Sequence, residues 1–253
     1  CHGRVDRGTP TPTNHRGPHG VQGVVLLGAA GYFPPGSTYD TLQILTTHGS
    51  TANPRLCAGC HVNKVTGIAG ADTITFSGHT FHPLPCLQQK TPTEIVDQTY
   101  RNDCAFDAPS RSWKACTASG CHGDEATAVS RLSLIEAEVQ GYVNTIWVNS
   151  TKCVAPPGGE CVEAVDPFPL DGGYLAKIVA AKPGELRFSC TPATCPTHQD
   201  TLDLNRVSPA KGALFNVQML GEKLASHPDG SHGVHNPFLY RALLQSSIAD
   251  LLA

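Results

Sequence analysis

One short segment has the residue types and spacing needed to attach a cofactor covalently. It is CAGCH at residues 57–61, in which two residues separate Cys57 from Cys60 and a histidine, His61, follows at once. This is the attachment pattern of c-type haem. Each thiol can add to a vinyl group of the porphyrin, and the adjacent histidine then lies under the iron. The segment predicts covalently bound haem c with His61 as the proximal ligand.

A second, looser copy of the pattern lies at residues 116–122. Four residues separate Cys116 from Cys121, and His122 follows directly. The residues between the thiols are small, so the longer spacer can bulge without moving the thiols apart. We therefore expect a second haem here, with His122 as its proximal ligand.

The first two residues, Cys1 and His2, repeat the end of this pattern. In one explanation they are the remnant of a third haem motif, whose first cysteine lies upstream and whose proximal ligand is His2. In another, Cys1 is the lipidated first residue of a bacterial lipoprotein, which would tether the protein to a membrane. An ordinary N-terminal cysteine is a third possibility. We prefer the haem remnant, because it accounts for an odd cysteine beside a histidine.

The other cysteines indicate an oxidising compartment. The chain has 11 cysteines, too many for a cytosolic protein without metal sites. Six remain after the haem thiols and Cys1, and they can form three disulfides. Nearness in sequence favours three pairs: Cys153 with Cys161, Cys190 with Cys195, and consequently Cys86 with Cys104. The alternative for Cys190 and Cys195 is a decayed or irregular haem site, because they have the spacing of the second motif but no histidine follows directly. We expect an exported protein, periplasmic, cell-surface or extracellular, whose leader is not part of this sequence.

Composition excludes some functions and favours others. The formal net charge is -3 and charged residues make up 15% of the chain, so no basic field suggests a nucleic-acid partner. Aromatic residues are only 6%, too few for a conventional aromatic core. Haems are large apolar plates, and we expect them to form much of the core.

The elements that position these groups are predicted to be helices joined by long loops. Periodic apolar residues predict a helix over about 124–148, beginning with carboxylates that suit its dipole. Ser208-Pro209 and Asn236-Pro237 are cap and first-turn pairs that start two more helices. Residues 24–27 suggest one short strand, and 62–78 suggest irregular chain. The fold class expected is mainly α with extensive irregular loops, little β and a multihaem cytochrome architecture.

Further histidines are candidate distal ligands. His79 follows a glycine between the haem motifs, with His82 as its fallback, and His48 lies shortly before the first motif. His235 precedes Asn236-Pro237 and would be held rigidly at a helix start.

Four segments together resemble the family of exported multihaem c-type cytochromes. They are RLCAGCH at 55–61, SGHTF at 77–81, 116–122 with its following helix, and GVHNP at 233–237 with its leucine-rich helix. In such proteins the histidines of Gly-His-x-Phe and Gly-Val-His-Asn-Pro segments serve as distal ligands. The resemblance thus implies His79 and His235 as distal ligands, with His48 as a third. It also implies redox proteins or further copies of the chain as partners, within a larger assembly.

Electron transfer is the function these observations favour. The chain has one methionine, Met219, and 12 histidines. We therefore expect haem irons with two histidine ligands each and low reduction potentials. Electron transfer needs no open coordination position, and the chain is not expected to be an enzyme. One rival is a multihaem oxidoreductase that acts on a small nitrogen or sulfur compound at a five-coordinate haem. Another is an extracellular binding protein whose motif cysteines bind zinc or form disulfides.

The expected organisation has three regions packed into one unit. Residues 1–150 carry the Cys-His motifs, 151–205 form a disulfide-stabilised insert rich in loops, and 206–253 form a helical region that supplies a distal histidine.

Overall fold

The computed structural model describes residues 8–11, 20–37, 42, 44–76, 82–89, 103–118, 121–146, 207, 209–220 and 229–252. In these ranges helix predominates and strand is scarce, in agreement with the mainly α prediction. The described residues form two compact units. The first spans Ser50–Leu134, and the second combines residues up to Gly49 with those from Ile135 onward. The predicted three-region division stays a prediction, because 151–205 lies outside the described ranges.

The short strand predicted at 24–27 is wrong, because residues 24–26 belong to helix α1, Gln22–Leu26, and Leu27 is its C-cap. The amide of Val25 donates to the carbonyl of Val21 at 2.9 Å, and both valine side chains are fully buried. Two valines four residues apart lie on one helical face. Burial of that face in the core of the second unit outweighs the strand preference of the β-branched residues.

The irregular chain predicted over 62–78 is also wrong in part. Helix α2, Cys57–His61, is followed by strands β1, Val65–Ala69, and β2, Asp72–Phe76. They form an antiparallel hairpin in which Ala69 pairs with Asp72. Gly70, with φ of +63°, begins its two-residue turn. Strand β3, Gln88–Gln89, pairs with β1 in parallel and completes a three-stranded sheet.

A disulfide and a buried arginine hold the chain between the hairpin and the second motif. Cys86 and Cys104 are bonded, with Cα atoms 6.0 Å apart, which confirms that predicted pair. The Arg111 guanidinium donates to the carbonyls of Leu84 and Cys104 and lies 3.9 Å from the centre of the Phe106 ring. Helix α3, Lys114–Thr117, follows directly. The other two predicted disulfides lie outside the described residues.

The three predicted long helices are confirmed. They are α4, Glu125–Ile146, α5, Pro209–Met219, and α6, Pro237–Leu252. Helices α5 and α6 pack together. Arg241 of α6 forms a bidentate ion pair with Glu138 of α4, in which Nε donates to Oε1 and Nη2 donates to Oε2, each at 2.6 Å. These helices and α1 enclose the core of the second unit. Its largest fully buried side chains are Tyr240, Ile146, Leu214, Met219, Leu220, Leu239, Leu243, Leu244, Val21 and Val25.

Two buried asparagines attach the N-terminal loops to these helices. Asn236 accepts a hydrogen bond from the Leu239 amide as the predicted cap of α6, and it donates to the carbonyls of Val25 and Ile44. Asn216 accepts from the amide of Tyr32 and donates to its carbonyl. The GVHNP segment is therefore fixed to the chain around residue 44, close in sequence to His48.

Candidate haem-attachment site

The first motif forms helix α2, which places its chemically active side chains within one turn. Cys57 and Cys60 are three positions apart and so share a face of the helix, and both are half-buried. His61 ends the helix and is also half-buried. Asn63 donates to the carbonyls of Gly59 and Cys60 at 2.8 and 3.1 Å. This side chain satisfies backbone acceptors that the short helix leaves open.

Backbone strain lies directly before the first thiol. Leu56 has φ of 44° and ψ of -126°, a conformation that costs a residue with a side chain on the order of 1–3 kcal/mol. Asn53 donates from its side chain to the Leu56 carbonyl at 3.2 Å. Its Oδ1 would lie 2.6 Å from a Cβ placed on Gly59. The turn at 53–56 therefore packs closely on α2, and glycine at position 59 permits that approach.

The second motif begins in α3 and ends just before α4. Trp113, fully buried, donates from its indole nitrogen to the Asp107 carbonyl at 3.0 Å and anchors α3. Cys116 is half-buried, Cys121 is exposed, and His122 is half-buried. Asp124 accepts from the Thr127 amide at 2.7 Å and caps α4 immediately after the motif. The motif thus connects α3 to α4, and only the second of these helices was predicted from the sequence.

The two motifs lie against each other. Helices α2 and α3 are in contact, and the Lys114 ammonium of α3 donates to the Lys64 carbonyl at 2.8 Å, three residues beyond the first motif. Burial raises the pKa of the Cys116 thiol to about 11, with smaller contributions from Cys60 and Cys121. Burial likewise raises the pKa of the Cys60 thiol, and Cys121 is the next cause. The thiols of both motifs are therefore electrostatic neighbours.

All four motif cysteines carry free thiols, so the alternative in which they pair as disulfides does not describe this structure. Within the described ranges, no three His, Cys, Asp or Glu side chains converge as a metal-binding group. The donor set does fit haem c, since each motif presents two reduced thiols followed by a histidine. Thioether formation requires reduced thiols.

His48 is a candidate ligand that the fold holds in a defined orientation. It lies in a single 3-10 turn, Thr47–Gly49, and its amide donates to the Thr46 hydroxyl at 3.3 Å. Its ring Nδ1 donates to the Val234 carbonyl at 2.8 Å. A Cβ on Gly49 would collide with the carbonyl oxygen of Leu26, so this turn requires glycine. The side chain is half-buried.

His235 is held more firmly, at the start of α6 as predicted. Its amide donates to the Ser231 hydroxyl at 3.2 Å, and its ring Nδ1 lies 2.5 Å from Oδ1 of Asp229. The Asp229 side chain is 0% exposed, and that of His235 is 21% exposed. Together with His48, it belongs to the second unit, whereas His61 and His122 belong to the first.

Asp229, which bonds to the His235 ring, is a residue of the candidate site that was not predicted from the sequence. A signal was present, because Asp-Gly-Ser at 229–231 is a typical turn and places a carboxylate six residues before His235. Its role depends on a hydrogen bond across that turn, which residue spacing alone does not specify.

Some predicted site residues lie outside the described ranges. These are Cys1, His2 and His79. The fallback for His79, His82, is half-buried, and burial followed by nearby Arg111 lowers its pKa.

Within the described residues, no helix is long and apolar enough to cross a membrane. Comparison with known proteins gives no match, whether to family models, curated proteins or solved structures.

Proposed function

We propose that this chain is an exported multihaem c-type cytochrome that carries electrons between redox partners. One haem c is attached through Cys57 and Cys60, and a second through Cys116 and Cys121. A third belongs to the motif that ends in Cys1-His2.

The contact between α2 and α3 is the observation that supports this proposal best. Two motifs separated by more than fifty residues of chain come together in one unit with their thiols reduced. Close approach of two haem sites suits electron transfer, because an electron must pass from one haem to the next. Cys86 and Cys104 form a disulfide in the same unit, whereas the four motif cysteines keep free thiols. Free thiols are what thioether bonds to haem require.

The distribution of buried apolar residues supports a cofactor-built core in the first unit. Its buried hydrophobic residues, among those described, are Val65, Ala69, Cys86, Trp113, Ala115 and Ala128. The second unit has a continuous cluster of large aliphatic side chains. Most of these side chains are small or isolated, and haem plates would give the described part of this unit further apolar surface to bury.

Each iron is assigned two histidine ligands. His61, His122 and His2 are the proximal ligands, and His79, His235 and His48 are the distal candidates. The haem supplies a one-electron couple between ferric and ferrous iron. Histidine on both sides closes the coordination sphere and gives a low potential compared with His/Met ligation.

The partners proposed are redox proteins or further copies of this chain in a larger assembly. A net charge of -3 does not favour nucleic acid as a partner. A lipid on Cys1 would instead tether the protein to a membrane and remove the third haem.

Paired cysteine variants test the proposal. The chain is expressed with an export leader in cells that mature c-type cytochromes, and covalent haem is counted by pyridine haemochrome. We expect Cys57→Ala with Cys60→Ala to lose one haem, and Cys116→Ala with Cys121→Ala to lose a different one. The control pair, Cys86→Ala with Cys104→Ala, removes the disulfide and should leave the count unchanged in the protein that folds. A haem count of zero in the unaltered chain would overturn the proposal.

A further inference from the structure

Two of the distal candidates, His48 and His235, donate a hydrogen bond from the same ring nitrogen. Nδ1 of His48 bonds to the Val234 carbonyl at 2.8 Å, and Nδ1 of His235 bonds to the Asp229 carboxylate at 2.5 Å. Carbonyl and ionised carboxylate oxygens only accept, so Nδ1 carries the hydrogen in each ring. In the neutral ring the lone pair then lies on Nε2, the nitrogen that a metal binds.

The two acceptors differ in charge. The Val234 carbonyl is neutral, whereas Asp229 offers a carboxylate with no exposed surface. Asp229 is itself fixed at two points: its amide donates to the Met219 carbonyl at 2.8 Å, and Oδ2 accepts from the Ser231 hydroxyl. Its charge also reaches Tyr240, whose pKa is raised well above its ordinary value, first by burial and then by Asp229. Hydrogen bonds to its backbone amide and to its carboxylate therefore hold Asp229 in place beside His235.

We propose that Asp229 is a positioning residue that fixes the His235 ring and lowers the reduction potential of the haem that His235 ligates. This inference rests on the proposed function, because it requires His235 to be a distal ligand. A carboxylate bonded to the outer nitrogen of a ligating histidine raises the basicity of that ligand. A more basic ligand stabilises ferric iron more than ferrous iron.

Asp229→Asn tests the charge while keeping an acceptor, because the amide oxygen can still bond to Nδ1 of His235. We expect the preference for ferric over ferrous iron at that haem to fall about tenfold, within the range of outer-shell effects. For a one-electron couple this is a rise of about 59 mV in one potential of a spectroelectrochemical titration. The other potentials should stay where they are. The electron paramagnetic resonance signal of one low-spin haem should change in the same variant.

The matched control is Glu138→Gln. It removes a carboxylate from the same unit, one that pairs with Arg241 and is not bonded to a histidine in the hydrogen bonds described. We expect it to leave every haem potential unchanged. A shift equal to that of Asp229→Asn would show a general charge effect and overturn the proposal.

Ser231→Ala provides a second variant with the opposite expected sign. Loss of the Ser231 hydroxyl removes a donor from Asp229, so more negative charge remains available to His235. The same potential should fall, and this variant carries the test if Asp229→Asn yields no folded cytochrome. A shift in the same direction as Asp229→Asn, or no shift in either variant, overturns the inference.

His235→Met separates this inference from the proposed function. If His235 is a ligand, the variant changes the spectrum of one haem and raises its potential. A changed spectrum in this variant, with unmoved potentials in the Asp229 and Ser231 variants, would overturn the role of Asp229 alone. Unchanged haem spectra in His235→Met would remove His235 from the ligand set, and the role of Asp229 would fall with it.

Discussion

The thiol of Cys116 has a chemical property that can be measured before haem is attached. Burial raises its pKa to about 11 from an ordinary value of 9.0, with Cys60 and Cys121 adding to the effect. A raised pKa means that less of the reactive thiolate is present at any pH below 11. The folded, haem-free chain should therefore protect this thiol from alkylation in mildly alkaline solution.

We predict that iodoacetamide modifies Cys116 of the folded, haem-free chain about tenfold more slowly at pH 8 than in the same chain unfolded by denaturant. The thiolate fraction is about a hundredfold smaller, and the greater nucleophilicity of a more basic thiolate recovers about tenfold. Peptide mass spectrometry over pH 7–11 gives the rate. In the folded chain the rate should continue to rise towards pH 11. A plateau near pH 9 in the folded chain would contradict the buried position of this thiol.

At the residue scale, the sequence correctly predicted that His235 lies at a helix start, whereas the haem-binding roles of Cys57, Cys60 and His61 stay predictions. Cys57, Cys60 and His61 lie on one helix turn because the pattern CxxCH has the period of a helix. His235 lies at the start of α6 because Asn-Pro is a helix-start signal. The partner of His235, Asp229, could not be predicted in the same way, because its role depends on the path of a loop.

At the element scale, Asn236 connects the start of α6 to two loops distant in sequence. We predict that Asn236→Ala lowers the free energy of unfolding by about 2–3 kcal/mol, because α6 loses its cap and two buried carbonyls lose a donor. Denaturant titration followed by circular dichroism measures the change. The control is Asn144→Ala on α4, where an exposed asparagine accepts only from Gln140 in the bonds described. Its effect on the free energy of unfolding should stay within about 0.5 kcal/mol. Equal decreases in the two variants would contradict the stabilising role of the Asn236 hydrogen bonds.

Two glycines within helices give a second pair of variants. A Cβ on Gly141 of α4 would meet nothing within 4 Å, whereas a Cβ on Gly212 of α5 would enter the ring of Tyr32. Asn216 holds the Tyr32 backbone at both its amide and its carbonyl, so the ring has little freedom to withdraw.

We predict that Gly141→Ala raises the free energy of unfolding by about 0.5–1 kcal/mol, the usual gain of alanine over glycine in a helix. Gly212→Ala should instead lower it by about 1–3 kcal/mol, since overpacking outweighs that gain. Thermal and denaturant unfolding of both variants measure the difference. Stabilisation by Gly212→Ala would mean that Tyr32 does not pack on α5.

The element predictions succeeded where a cap and a long apolar period coincide, as in α4, α5 and α6. They failed where tertiary contacts or a short turn determine the structure. Helix α1 forms because the core accepts Val21 and Val25 together, although valine favours strands. The burial of β1 alternates strictly, but the residue types do not follow it, because Ile68 is exposed and a glycine, Gly67, is buried; the usable signal for the hairpin was the turn glycine, Gly70. The abundance of glycine around it outweighed that signal in the sequence prediction.

At the scale of the whole molecule, the two units differ in what they bury. The second has a side-chain core built by α1, the later half of α4, α5 and α6. The first holds both Cys-His motifs, and the buried apolar residues in its described part are mostly small or isolated. The sequence predicted that haems form much of the core, and we propose this role for haems in the first unit. The sequence did not predict the separate aliphatic core of the second unit, because that core depends on which distant segments of the chain pack together.

We propose above all that this chain carries covalently attached haem at its Cys-His motifs. The most direct test is the intact mass of the exported, purified chain under reducing and denaturing conditions, followed by mass spectrometry of its proteolytic peptides. We expect haem adducts on the peptides that contain Cys57 with Cys60 and Cys116 with Cys121, and a further adduct at Cys1 when the upstream cysteine is present. A colourless protein whose four motif cysteines all alkylate as free thiols would contradict this proposal.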